Sequence, residues 1–250
     1  MPEFVSMRSM KSFLFHSFAL LLMLSSCKQG SVEDAVVKGK FQDASNIKLL
    51  LHELLPDSAR IIDSTTTDKQ GNFTFRFRPE EKSFFFIRLD NRNYVTFVAD
   101  KRDRIMLTGE GGNLMATFTV EGSEDSKVLS RYLRIVASTQ SRYDSLGRKL
   151  EETKSLREFP KIKEQLDSMF IVVSNEHLAT VRLYVEQHTG SFASMLIVNH
   201  TLGKGPVMDP EIDPQLFASI DSNLSFSYQG NRHYEAFHQK VSGSKAGKVY

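Results

Sequence analysis

Tryptophan is absent from this chain of 250 residues, and cysteine occurs once, at Cys27. A single thiol excludes an internal disulfide, a CxxC redox pair and a thiolate metal cluster, so stability has to come from packed cores. An excess of one charge is also missing. Lys and Arg total 32 against 30 Asp and Glu, which removes the electrostatic ground for nucleic acid as a partner or for a polybasic membrane surface. Long apolar runs are scarce: the run Phe13 to Leu24, broken only by His16 and Ser17, spans about 18 Å as a helix, short of the ~30 Å hydrocarbon core. What remains, 40% hydrophobic and 25% charged residues, is the composition of an ordinary globular protein of one or two domains.

The familiar catalytic motifs are missing as well. Gly109-Glu110-Gly111-Gly112 and Gly203-Lys204-Gly205 fit neither GxxxxGK[ST] nor GxGxxG and read as loop turns. His52, His177, His188, His200, His233 and His238 contain no HExxH and no pair at i, i+4 that would set two ligands on one helical face, so no metal is expected. Asp209, Glu211 and Asp213 lack the spacing and glycine of a calcium loop and read as helix caps. No Ser lies in GxSxG. The cations Lys101, Arg102 and Arg104 alternate with Asp100 and Asp103 in a solvated turn. No catalytic residue and no cofactor is assigned.

The amino terminus does carry a pattern. Arg8 and Lys11 precede the short apolar run, and Leu24-Ser25-Ser26-Cys27 follows it, the order of a secretory signal with a short apolar segment. Met7 and Met10 are alternative starts. An aliphatic residue three places before Cys, with two small residues between, resembles the bacterial lipobox, in which the thiol is acylated and the preceding peptide removed. The expectation is a signal peptide over residues 1–26, lipidation at Cys27 and a polar tether over 27–34. Such an anchor supplies more than the two lipid signals that stable attachment needs.

From Ala35 to Glu121 the chain reads as short strands. Phe73, Phe75 and Phe77 alternate with Thr74, Arg76 and Arg78, the period of a half-buried strand. Eight strands are expected, near 35–41, 47–53, 60–66, 72–78, 84–89, 94–99, 104–108 and 116–120, which gives an antiparallel β-sandwich-like domain over 35–121. After Gly122 the period changes. Leu129, Leu133, Val136, Tyr143, Leu146 and Leu150 define one helical face, and Ile162, Leu166, Met169, Val173, Thr180 and Tyr184 another, which predicts a long helical hairpin broken near Ser155 to Pro160. Shorter helices capped by Ser191, Asp213 and Asn231 complete an α-helical region over 123–241. The fold class is α+β. Residues 242–250 have the small, polar composition of a flexible tail or linker. On the strand after Ser83, Phe85, Ile87 and Leu89 share one face while Phe84, Phe86 and Arg88 share the other. Two covers fit the second apolar face: the helical region of the same chain, or a docked partner.

The ordering of these parts resembles the amino-terminal region of TlpA-like thiol-disulfide interchange lipoproteins of the bacterial envelope. The matching residues are Val37-Lys38-Gly39-Lys40-Phe41, Ile62-Asp63-Ser64, Asp68 to Phe75, Glu121-Gly122-Ser123 leading through Ser126 and Leu129 to Tyr132, and Ser191-Phe192-Ala193-Ser194. The resemblance implies a small β domain of unknown function, then helices, then a thioredoxin module with a WCxxC motif following a segment like Ala246-Gly247-Lys248. That module's redox activity does not carry over to a chain with no Trp and one Cys. The expected function is therefore a noncatalytic binding or scaffold module, anchored to a membrane by lipid, facing the periplasm and available to an envelope protein partner. Two alternatives stand beside it: an amino-terminal fragment of a thioredoxin-family interchange protein, with the WCxxC domain encoded just downstream, and a small-ligand binder.

Overall fold

The computed structural model describes residues 33–91, 93–202 and 205–248. The expected signal peptide, Cys27 and most of the tether lie outside the described residues. Glu33–Tyr250 cluster as one unit.

Eight strands form two four-stranded sheets. Strands β1 (Ala35–Gln42), β4 (Asn72–Phe77), β7 (Arg104–Glu110) and β8 (Thr119–Glu121) make one, in the order β4-β1-β7-β8. The second holds β2 (Lys48–Leu54), β3 (Ala59–Thr66), β5 (Ser83–Arg88) and β6 (Tyr94–Ala99), in the order β3-β2-β5-β6. Alternation along each strand drives one side chain in two into a shared core. Val37, Phe41, Phe75, Leu107 and Val120 from the first sheet meet Leu49, Leu51, Phe85, Ile87 and Phe97 from the second. The ladders are antiparallel with one exception: β1 and β7 run parallel, Val37 beside Ile105 and Gly39 beside Leu107. These strands are separated in sequence by the whole second sheet, so no hairpin constrains their direction.

Two of the matching segments, Asp68 to Phe75 and Glu121-Gly122-Ser123, each contain a glycine with positive φ. Gly71 (φ 81°) and Gly122 (φ 86°) lie so close to neighbouring backbone that an added Cβ would stand 2.0 Å from the Phe41 carbonyl oxygen and 1.9 Å from that of Arg104. Only glycine fits both conformation and space.

One strand expectation fails in part. Ala116 lies in a single helical turn, α1 (Leu114–Thr117), and β8 begins only at Thr119. Here local bonding prevails over the strand pattern: the Thr117 hydroxyl donates to the Asn113 carbonyl at 2.7 Å, and Leu114 is buried in the sandwich core.

The helices follow as expected: α2 (Glu124–Thr153), α3 (Phe159–Glu186, with Pro160 in its first turn), α4 (Ala193–Val198), α5 (Pro214–Tyr228) and α6 (Arg232–Ser242), with a two-residue strand pair, β9 (Thr201–Leu202) and β10 (Gly205–Pro206), between α4 and α5. Their core takes Leu129, Tyr132 and Val136 from α2, Val181 and Val185 from α3, Phe192, Ile197, Phe217, Ile220 and Phe237, and it closes over Phe84 and Val98 of the second sheet. The second face of β5 is thus covered from within the chain at Phe84. Phe86 is only half-buried, stacked on His52 at 4.4 Å.

Two helix readings need correction. Asp213 precedes α5 but its carboxylate makes no cap bond, because it is engaged by the Arg182 guanidinium. Met169 and Thr180 do not join the hairpin's buried face. The seam on α3 is Leu166, Val173, His177, Val181 and Val185, and Met169 is half-exposed beside it. At the carboxyl end, the segment expected as a linker forms a 3-10 turn over Lys245–Lys248, with Ser244 buried and its hydroxyl donating to the Val241 carbonyl at 2.7 Å.

Candidate functional site

The segment Glu80-Glu81-Lys82-Ser83-Phe84, which leads into β5, gathers polar contacts from three parts of the helical region. Lys82 Nζ stands 2.5 Å from Asp125 Oδ2 and donates to the Tyr228 hydroxyl at 3.1 Å. Burial alone would push the Lys82 ammonium down, but the Asp125 carboxylate and the Tyr228 hydroxyl together outweigh it and hold the group above the ordinary lysine range. Asp125 is well placed for this because it lies in the first turn of α2, where a carboxylate is favoured. Its other oxygen accepts from the Ser191 hydroxyl at 2.7 Å and from the Phe192 backbone N–H at 2.9 Å, so one carboxylate orients Lys82 and the start of α4 together.

On the other side of Lys82, α6 docks through its own amino terminus. Asn231 caps α6 by accepting from the His233 and Tyr234 backbone N–H groups, and its amide donates to the Lys82 carbonyl at 2.8 Å. Arg232 pairs with Glu81 and, at 2.8 Å, with Glu80. Nearby, the buried Glu53 accepts from Arg60 at 2.8 Å. His233 then meets Ser83, Nε2 to Oγ at 2.9 Å, and packs edge-on against Phe84 at 5.0 Å.

A hydroxyl bonded to a neutral imidazole is the opening geometry of a nucleophile and its base. Burial pushes the His233 pKa down to about 4, so the ring is neutral near pH 7. Ser83, however, is 0% exposed within β5, which leaves a substrate carbonyl no approach to Oγ. What the arrangement does is join sheet to helices. Beside it a cavity of about 390 Å³ opens, with Leu54, Phe84, Met195 and Phe237 as apolar walls and Asp57 and Lys240 among its polar lining. Lys240 is bonded to Asn199.

The histidines singled out in the sequence are scattered. His52 stacks on Phe86, His177 meets the Thr139 hydroxyl at 2.8 Å, His188 the Tyr184 carbonyl at 2.6 Å, His200 the Tyr132 hydroxyl at 2.7 Å, and His238 the Asp221 carboxylate at 3.0 Å. Among the described residues no three His, Cys, Asp or Glu groups are placed to hold a metal ion. The acidic trio disperses too: Asp213 goes to Arg182, Glu211 lies 3.6 Å from Lys245, and Asp209 accepts from the Glu211 backbone N–H. Arg104 donates to the carbonyls of Asp34, Arg102 and Asp103. Sequence reasoning missed Lys82, Ser83, Asp125, Arg232 and the pairing role of His233. Their one sequence signal is a run of charge, Glu80-Glu81-Lys82, placed directly before an apolar strand.

Residues 35–129 match the profile of DUF4369, a domain of unknown function. The match ends at Leu129, so it takes in the sandwich together with the first turns of α2. Among curated proteins no sequence matches. Solved structures with partial likeness include (S)-allantoin synthase, at 13% identity over 46% of this chain and 54% of that one with a TM-score of 0.27. Another is the 5-hydroxyisourate hydrolase of Klebsiella pneumoniae, at 10% identity over 38% of this chain and 96% of that one with a TM-score of 0.25. The chain thus spans about half the length of the first of these. Among the described residues no helix is long and apolar enough to cross a membrane.

Proposed function

We propose that this chain is a noncatalytic binding or scaffold module of the bacterial envelope, held to a membrane by lipid on Cys27 and facing the periplasm. The observation that carries the noncatalytic part is the use made of its polar side chains. Lys82 with Asp125, Ser83 with His233 and Arg232 with Glu81 are committed to one another across the sheet and helix junction, and the one Ser–His pair among them is sealed from solvent at Ser83. The anchoring part rests on Leu24-Ser25-Ser26-Cys27 after a charged start and a short apolar run. A second reading, the amino-terminal region of a thioredoxin-family interchange protein, is favoured by the segments around Gly71 and Gly122, which resemble that family. Reading the DNA downstream for a WCxxC domain tests it. The anchor is tested by metabolic labelling with a fatty-acid probe. Wild type takes up label and Cys27→Ser does not; label retained in the variant overturns the anchored reading.

A further inference from the structure

The α2–α3 hairpin exposes more apolar surface than its own packing consumes. Beside the seam of α3 runs a second stripe: Gln165, Met169, Val172, Glu176, Ala179 and Leu183. It advances in alternating steps of four and three residues, the spacing of a coiled-coil seam. Met169, Val172 and Leu183 are 50%, 52% and 59% exposed. A groove of about 690 Å³ borders the first half of the stripe, from Gln165 to Val172, with Arg142 and Leu146 of α2 as its other wall. Along α2, no residue after Thr139 is buried, so this part of the hairpin stands clear of the sandwich.

We propose that a second copy of this chain covers the stripe, α3 lying antiparallel to its counterpart about a two-fold axis beside Glu176. The proposal deepens the binding-module reading, on which it rests, by naming the partner. Three features point to a second copy. The chemistry around the centre of the stripe is the same from either side: with Glu176 at the axis, Met169 meets Leu183, and Val172 meets Ala179 and Thr180. Self-complementarity of this kind is what a two-fold interface requires. Charge also balances at the axis. Each Glu176 is held by Arg142 at 2.7 Å, so two facing pairs form an alternating ring of four charges instead of a bare Glu–Glu contact. Finally, the stripe covers about 27 Å of helix; with the flanking α2 walls, that length suits an interface of about 1,000 Å². The antiparallel arrangement sets the two sandwiches at opposite ends.

The test uses the full chain carrying Cys27→Ser, which leaves it free of cysteine, in mild detergent. Sedimentation at tens of micromolar is expected to give twice the chain mass. Val172→Asp is expected to return the chain to monomer with its far-ultraviolet dichroism unchanged, while Ile171→Asp, on the other flank of α3, leaves the dimer intact. In the same background, Glu176→Cys is expected to form a crosslinked dimer. Met169→Cys crosslinks only when Leu183→Cys is also present. A monomeric mass in the parent, or equal loss of the dimer with Ile171→Asp, overturns the proposal, and so does efficient crosslinking by Met169→Cys alone. Labelling at Cys27 in the wild type is read separately, so a monomer with intact labelling sinks the dimer and leaves the anchored reading in place.

Discussion

Lys82, Ser83 and Phe84 each answer a different part of the helical region, and three adjacent residues thereby fix where the helices sit. Lys82 binds Asp125, Ser83 binds His233, and Phe84 packs on Phe192 at 4.9 Å. The His233 contact makes stability depend on pH. Its pKa is lowered from 6.5 to about 4 by burial, so folding favours the neutral ring. The stabilisation is complete above the unfolded value and is lost as pH falls from about 6.5 to about 4. At 1.36 kcal/mol per pKa unit it amounts to about 3 kcal/mol at most. His233→Gln, which keeps a hydrogen-bonding side chain near Ser83, is expected to shrink the drop in thermal midpoint between about pH 7 and about pH 4.5. A residual slope will remain, because His52, His177 and His200 are also lowered by burial. Equal slopes in wild type and variant would refute this role.

At the scale of elements, the start of α2 closes the open edge of the second sheet. β6 is an edge strand, and such an edge presents unpaired backbone groups. The Val98 N–H donates to Ser126 Oγ at 2.8 Å, and the Val98 carbonyl accepts from Ser126 at 2.9 Å and from Ser123 at 3.1 Å. Ser123 also caps α2 by accepting from the Ser126 N–H. The Gly122-Ser123 and Ser126 signature is therefore a device that turns the chain out of β8 and seals β6 with hydroxyls. Ser126→Ala strands a buried N–H and is expected to cost about 1–3 kcal/mol. Denaturant melts measure the loss; a change below about 0.5 kcal/mol would mean that the edge is satisfied in another way.

For the whole molecule, Phe84 and Val98 belong to the helical core while Phe85 and Phe97, their neighbours in sequence, belong to the sandwich core. One sheet is thus shared by two cores. Sheet and helices are expected to unfold together, with fluorescence and far-ultraviolet dichroism following the same transition. Phe84→Asp buries an unpaired carboxylate between Phe192 and His233 and is expected to cost several kcal/mol and to melt both parts. If the helical signal is lost while the sandwich keeps its midpoint, the two cores are independent. If neither moves, the Phe84 face is free, contrary to its packing here.

The strands with their inward phenylalanines, the change of period after Gly122, the glycines at 71 and 122 and the Asn231 cap are all local features. Periodicity and turn chemistry are set within a few residues, so they are legible without knowing what lies opposite. The remaining features arise from long-range packing. That packing sets the parallel pairing of β1 with β7, the cover over Phe84, the diversion of Asp213 to Arg182 and the docking of Lys245–Lys248. It also turned Met169 away from the hairpin's seam. Each of these depends on a partner tens to more than a hundred residues away or, for Met169, on which flank of a helix its neighbour approaches. A helical repeat states that a face is apolar, and only the packed structure states how much of that face its own chain consumes.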